Sequence, residues 1–128
     1  MTIETISDQL FLRNKVLPFI SGTKFLNLGG IAFSRMTTRI TEKNGRHERS
    51  HTLQQWELGI VGMWLLYGIN WLINILYYWN FKKAYKMIAF ELEANMNEDD
   101  EGYNTSRKHY AWAGYVRYIF KYSEIYGD

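Results

Sequence analysis

Two histidines four residues apart, the first followed directly by a glutamate, occupy the stretch HERSH at residues 47–51. On a helix, positions i and i+4 share a face, so the imidazoles of His47 and His51 can converge on one ion. Glu48 then reaches a water on that ion rather than the ion itself. Zinc takes four tetrahedral ligands, and a catalytic zinc keeps one position for water. One protein ligand is left to find. The chain has three histidines and no cysteine, which limits that ligand to His109 or a carboxylate. FELEAN, residues 90–95, places Glu91 and Glu93 in an otherwise apolar stretch, where a carboxylate calls for a partner. Lys86 or Arg117 would be that partner if Glu91 were purely structural.

HERSH followed by ELEAN at 91–95 resembles the gluzincin branch of the zinc metallopeptidases, and small bacterial gluzincin-like proteins in particular. Over residues 30–96 the resemblance implies Zn²⁺ held by His47, His51 and Glu91, with Glu93 not a ligand. It implies Glu48 as the general base of peptide-bond hydrolysis, with a peptide or protein as substrate. A strand at 30–40 would be the edge strand that binds substrate in extended form. The family's motif often ends in Asp, a residue that supports a ligating histidine; this chain has Asn95 there, which carries no charge to raise the ligand's basicity. A donor for the developing oxyanion is also required. His109, Tyr103, Tyr110 and Arg117 are the candidates by residue type.

These residues need elements to hold them. At 128 residues the chain is long enough for a single core, and we expect one domain, 1–128. Residues 1–45, with Pro18 and the pairs Ser21-Gly22 and Gly29-Gly30, read as a loose N-terminal segment ending in a strand, Gly30 to Ile40. Glu42–Gly45 reads as a turn, with Asn44 capping a helix from Arg46. That helix carries His47, His51, Gln54 or Gln55, and Leu58 on one face and weakens at Gly59 and Gly62. Further helices are expected at Met63–Trp79 and at Phe81–Met96, the latter with an apolar stripe through Ala84, Ile88 and Leu92. The polar stretch 97–106 reads as a solvated loop, without the ligand alternation of a calcium site. A fourth helix is expected at Ser106–Tyr122. The fold class is α+β, mostly α: a short N-terminal β segment with an edge strand, then about four helices, a minimal zincin-like domain.

Leu58 to Trp79 is an apolar run without a charged side chain, long enough to span a bilayer. Asn70 and Asn74 argue for a buried or membrane-skimming helix instead, because paired amides need partners. The run also constrains the metal site. A single crossing would put HERSH and everything after residue 80 on opposite sides, so a ligand from FELEAN excludes it.

A net charge of +2 with no long basic run argues against a nucleic-acid partner. The N-terminus lacks the apolar core of a signal peptide and reads as cytoplasmic, with peripheral membrane contact left open by the apolar run and by an aromatic content of 17%. The expected function is a zinc-dependent metallopeptidase. The alternatives are a non-catalytic zinc protein on the same fold, which the small size favours, or a membrane-associated interaction protein with a chance HExxH.

Overall fold

In the computed structural model, which describes residues 2–17 and 24–127, a four-stranded sheet is followed by a predominantly helical chain. The α+β, mostly α class is as expected. Strands β1 (Thr2–Ile6), β2 (Gln9–Asn14), β3 (Phe25–Leu28) and β4 (Ile31–Arg35) lie in the order β1-β2-β4-β3. β1 pairs antiparallel with β2 through a tight turn at Ser7-Asp8, both with positive φ (52° and 64°), as a twisted two-residue hairpin demands. β3 and β4 form a second antiparallel hairpin across Gly29-Gly30 (φ 67° and 112°), and β2 runs parallel to β4.

Two expectations for the N-terminal region are corrected. The strand expected over 30–40 spans only Ile31–Arg35 and lies inside the sheet, between β2 and β3; the strand flanking it, β3, is the edge. Alternation in 30–40 fails after Arg35, which leaves too little apolar surface to pair further. The loose segment is instead mostly strand. The turn expected at Ser21-Gly22, with Pro18, lies outside the described residues.

Helix α1 (Glu42–Leu58) crosses the sheet and carries HERSH. Thr41, not Asn44, is its cap: the Thr41 hydroxyl accepts from the Asn44 amide while the Asn44 side chain accepts from the Thr41 amide. This reciprocal pair satisfies two donors at once, so the expected turn at 42–45 becomes the first turn of the helix. Gly59, at φ 77°, ends it, whereas Gly62 sits within the next helix. Polar side chains join the helix to the sheet. Thr52 Oγ1 donates to Gln9 Oε1 (2.6 Å), Asn27 Nδ2 to the Glu48 carbonyl (2.8 Å), and Gln55 Nε2 to Asn27 Oδ1 (2.9 Å). All of these side chains are buried. Directional bonds of this kind set the helix's rotation and register more sharply than apolar packing would.

Helix α2 (Ile60–Tyr78) runs outward, and the chain then returns along it as α3 (Phe81–Lys86) and α4 (Ala89–Asn97). Asn74 Nδ2 donates to the Ala84 carbonyl (3.0 Å), Asn70 Nδ2 to Asn74 Oδ1 (3.2 Å), and the Ala89 amide to Asn70 Oδ1 (2.9 Å). The paired amides thus find partners within the protein. They also explain why the helix expected over 81–96 is two. The Ala89 amide, an orphan donor at a helix start, is satisfied by Asn70, and Ile88 turns extended (ψ 132°) to allow it. The expected stripe of Ala84, Ile88 and Leu92 is fully buried across the break.

The helix expected at Ser106–Tyr122 is replaced by α5 (Tyr103–Ser106), a 3-10 helix (Ala111–Tyr118) and α6 (Tyr122–Tyr126). Arg107 is drawn into the protein in extended conformation (ψ 134°), and Tyr110 takes a left-handed one (φ 59°) with its amide bonded to Glu57. Neither conformation continues a helix.

Gly45 shows how closely the β1–β2 turn seats on α1. A Cβ at this position would lie 2.5 Å from the Ile6 carbonyl oxygen. Alanine in a helix interior ordinarily stabilises by about 1 kcal/mol over glycine. Here Gly45→Ala should do the reverse, lowering stability by about 1–3 kcal/mol through overpacking, as read by denaturant unfolding.

Candidate metal centre

His47 and His51 project from α1 toward α4, and Glu91 in the first turn of α4 projects back. Three atoms meet: His47 Nε2 lies 3.1 Å from Glu91 Oε1, His51 Nε2 lies 3.2 Å from the same oxygen, and the two nitrogens are 3.2 Å apart. Tetrahedral zinc ligands at about 2.0–2.1 Å from the ion are about 3.3 Å from one another. The triangle therefore has the edge length that such an ion requires.

The outer atoms of the three groups are already engaged, which orients them. His47 Nδ1 is 2.7 Å from Glu98 Oε2, an acceptor only, so this nitrogen carries hydrogen. His51 Nδ1 is 2.8 Å from Gln54 Oε1. Gln54 cannot present its nitrogen there, because Nε2 donates to the Phe90 carbonyl and to Glu93 Oε1 (both 3.0 Å). Glu91 Oε2 accepts from the Tyr67 hydroxyl (2.6 Å). With both Nδ1 atoms acting as donors, neutral imidazoles turn two nitrogen lone pairs and one carboxylate oxygen toward a single point. Such a point demands positive charge, from protons or from a metal ion.

The electrostatics agree. Burial works against charge on His47, but hydrogen bonds to Glu91 and Glu98 outweigh it and hold the imidazole well above the usual histidine value. Burial likewise opposes His51, and Glu91 raises it. Glu91, which burial would push up, is held well below the usual carboxylate range by the two imidazoles. Glu48 moves the other way: burial raises its carboxyl, and the neighbouring imidazoles offset only part of that. His47, Glu48 and His51 each place a ligand-type atom within 4.8 Å of the others and could themselves hold an ion, so Glu48 stands beside the triangle that the two imidazoles make with Glu91. A cleft of about 540 Å³ opens onto His47 and Glu48, walled by Lys24 and Phe25 at the start of β3 and by Lys82, Tyr85 and Lys86 of α3.

The structure thus brings together His47, Glu48, His51 and Glu91. It gives Glu91 to the histidines and Tyr67 rather than to Lys86 or Arg117. Glu93 is fully buried behind the centre, facing Arg107, Tyr103 and Gln54. Asn95 lines the same cleft as His47, beside Tyr126, and the charge expected at that position is supplied three residues later by Glu98. None of the four oxyanion candidates reaches the centre. Tyr103 donates to Glu93 (2.7 Å), His109 is exposed beside Glu57, the Tyr110 amide binds Glu57, and Arg117 lies over the Tyr118 ring. Nothing in the sequence pattern singles out Tyr67, Tyr85 or Glu98. Tyr67 and Tyr85 sit in or beside an apolar run, and Glu98 begins a stretch that reads as solvated loop. Gln54 was within reach, three residues after His51 on the same face. Since Glu91 contacts both histidines, the chain before α2 and the chain after it lie on the same side of that helix.

Comparison with protein-family models, curated proteins and solved structures finds no match to this chain.

Behind His51 the support ends in a buried ion cluster. The Arg107 guanidinium donates to both oxygens of Glu57 (3.0 Å each) and to both oxygens of Glu93, with 3% of its side chain exposed. Arg107→Met would strand two buried carboxylates, and we expect a loss of about 3–5 kcal/mol, measured by unfolding of metal-free protein. A second expectation concerns pH. Both imidazoles are raised in the fold above an unfolded value of about 6.5, so their stabilisation is complete below that pH and lost as pH rises through the folded values. The raised Glu48 pushes the same way from about 4.5 upward. Metal-free protein should therefore lose thermal stability as pH rises above about 6.5. If zinc binds, it displaces those protons, and zinc stabilisation should grow over the same range. Melting curves with chelator and with zinc would show the opposing slopes.

Proposed function

We propose that the protein is a zinc-dependent hydrolase acting on peptide bonds, with His47, His51 and Glu91 as ligands and Glu48 as general base. The observation that carries this reading is the triangle of Nε2, Nε2 and Oε1 atoms, whose outer partners leave all three lone pairs directed inward. When bound there, zinc supplies a Lewis acid that lowers the pKa of a water and polarises a carbonyl.

The chain's own residues supply the remaining parts. Glu48, with its carboxyl raised by burial, is a base tuned toward neutrality; it takes the attacking water's proton and returns it to the leaving amine. Tyr85 stands on the cleft wall, half exposed, with a phenol held protonated by burial and by Glu91. It is the hydroxyl best placed to donate to an oxyanion. Among the described residues β3 pairs with β4 along one edge only, and its first residue, Phe25, lines the cleft. An extended peptide can add to that edge through backbone hydrogen bonds.

A non-catalytic zinc protein is the second reading, favoured by burial: His51 is 4% exposed and Glu48 7%. Metal analysis and peptide hydrolysis together separate the two. One zinc per chain is expected in the wild type and in Glu48→Gln, and none in His51→Ala or Glu91→Gln. Hydrolysis of an unstructured peptide should fall at least about a hundredfold in Glu48→Gln. Zinc retained without hydrolysis in the wild type selects the second reading. No stoichiometric zinc after reconstitution overturns both.

A further inference from the structure

Helix α2 has two stripes at helical spacing, and they differ in kind from those of an ordinary surface helix. The inner stripe, Met63, Tyr67, Asn70, Asn74 and Tyr78, meets the protein: Met63 and Asn74 are fully buried, and the other three hydrogen-bond to Glu91, to Asn74 and Ala89, and to the Ile119 carbonyl. The opposite stripe is Val61, Leu65, Ile69, Leu72 and Leu76, continuing to Trp79 just past the helix end. These six are between 47% and 82% exposed. A surface helix normally turns polar side chains outward, whereas the two amides of α2, Asn70 and Asn74, are spent on its inner side. Six large apolar side chains in one continuous exposed stripe make the kind of patch that marks an interaction site.

Cations beside aromatic rings precede α2 in the chain and follow it. Before it, Arg49 lies over the exposed Trp56, 4.8 Å from its ring centre. After it stand Trp79 and Phe81, 82% and 70% exposed, followed by Lys82, Lys83 and Lys86. Amphipathic rings and lysines bracketing an apolar face are the chemistry of a lipid headgroup layer. A second copy of the chain fits less well, because it would set the lysines against one another or against Arg49.

The helix is about 28 Å long and apolar enough to span a bilayer by composition, with a mean hydropathy of 1.5. A crossing is ruled out by what lies along its inner side. Glu91, His47 and His51 sit level with Tyr67, near the helix midpoint, and a crossing would carry them into hydrocarbon. A helix with a charged site on one flank and an apolar stripe on the other can enter a bilayer only sideways.

We infer that the outer face of α2, Val61 to Trp79, docks in-plane on an anionic lipid bilayer, with Lys82, Lys83 and Lys86 at headgroup level. Lys82, Tyr85 and Lys86 also wall the cleft over His47 and Glu48, so docking holds the mouth of the cleft at the membrane surface. The docking inference does not depend on the hydrolase reading: excluding a crossing needs only that Glu91, His47 and His51 are polar groups beside Tyr67, not that they hold a metal.

Flotation of the full chain with phosphatidylcholine vesicles, with and without an anionic lipid fraction, tests it. Binding is expected to anionic vesicles, weakening severalfold at high salt. Leu65→Glu/Leu72→Glu should abolish it, and Lys82→Glu/Lys83→Glu should weaken it roughly tenfold or more. Leu65, Leu72 and Lys82 are exposed and Lys83 is half-buried over the Tyr122 ring, and circular dichroism would check that each variant is folded. Wild-type protein that stays off every vesicle overturns the inference. So does a dimer, seen by sedimentation, that Leu65→Glu/Leu72→Glu dissolves without any vesicle binding.

Discussion

A carboxylate with 5% of its side chain exposed cannot be left alone, and Glu91 is such a carboxylate. Three groups answer it: the imidazoles of His47 and His51 on one oxygen and the Tyr67 hydroxyl on the other. They come from α1 and α2, so one buried charge ties together α1, α2 and α4. Both imidazoles are then held from behind, His47 by Glu98 and His51 by Gln54. Gln54 is held in turn by Glu93, and Glu93 by Arg107 and Tyr103. The polar chain runs from the C-terminal part of the sequence to the centre without a missing partner.

This arrangement explains why so much polar chemistry can be buried in a small protein. Directional bonds, not bulk apolar packing, set the rotation of α1 on the sheet, through Asn27, Thr52 and Gln55, and the return of the chain along α2, through Asn70 and Asn74. The apolar core proper is modest, centred on Met63, Ile88 and Phe90 with Leu58, Trp64, Tyr67 and Trp112 packed around it. Much of the remaining large apolar surface faces outward on α2. A protein that spends its interior on polar specificity and leaves leucines outside is built as for an apolar neighbour.

Local pattern was enough for some features and not for others. Helical spacing alone put His47, His51 and either Gln54 or Gln55 on one face, and two adjacent glycines marked the β3–β4 turn. The apolar run from Leu58 was legible as a helix, and its two asparagines as groups needing partners. Boundaries failed wherever a distant group satisfied a backbone donor or drew in a side chain. Asn70 split the helix at Ile88, and the pull of Glu57 and Glu93 on Arg107 kept the C-terminal segment from forming one long helix.

What the sequence by itself determined is the chemistry of the centre: two histidines at helical spacing, an adjacent glutamate, and carboxylates on a later apolar helix that would have to find charge. What only the tertiary structure decided is which groups stand behind them. Glu98 replaces the charge that Asn95 lacks, Tyr67 takes the second oxygen of Glu91, and Glu93 turns away to Arg107. The reason is physical. Spacing along one helix is a local property with a fixed period, whereas the partner of a buried charge is chosen by whatever the folded chain brings within about 3 Å of it.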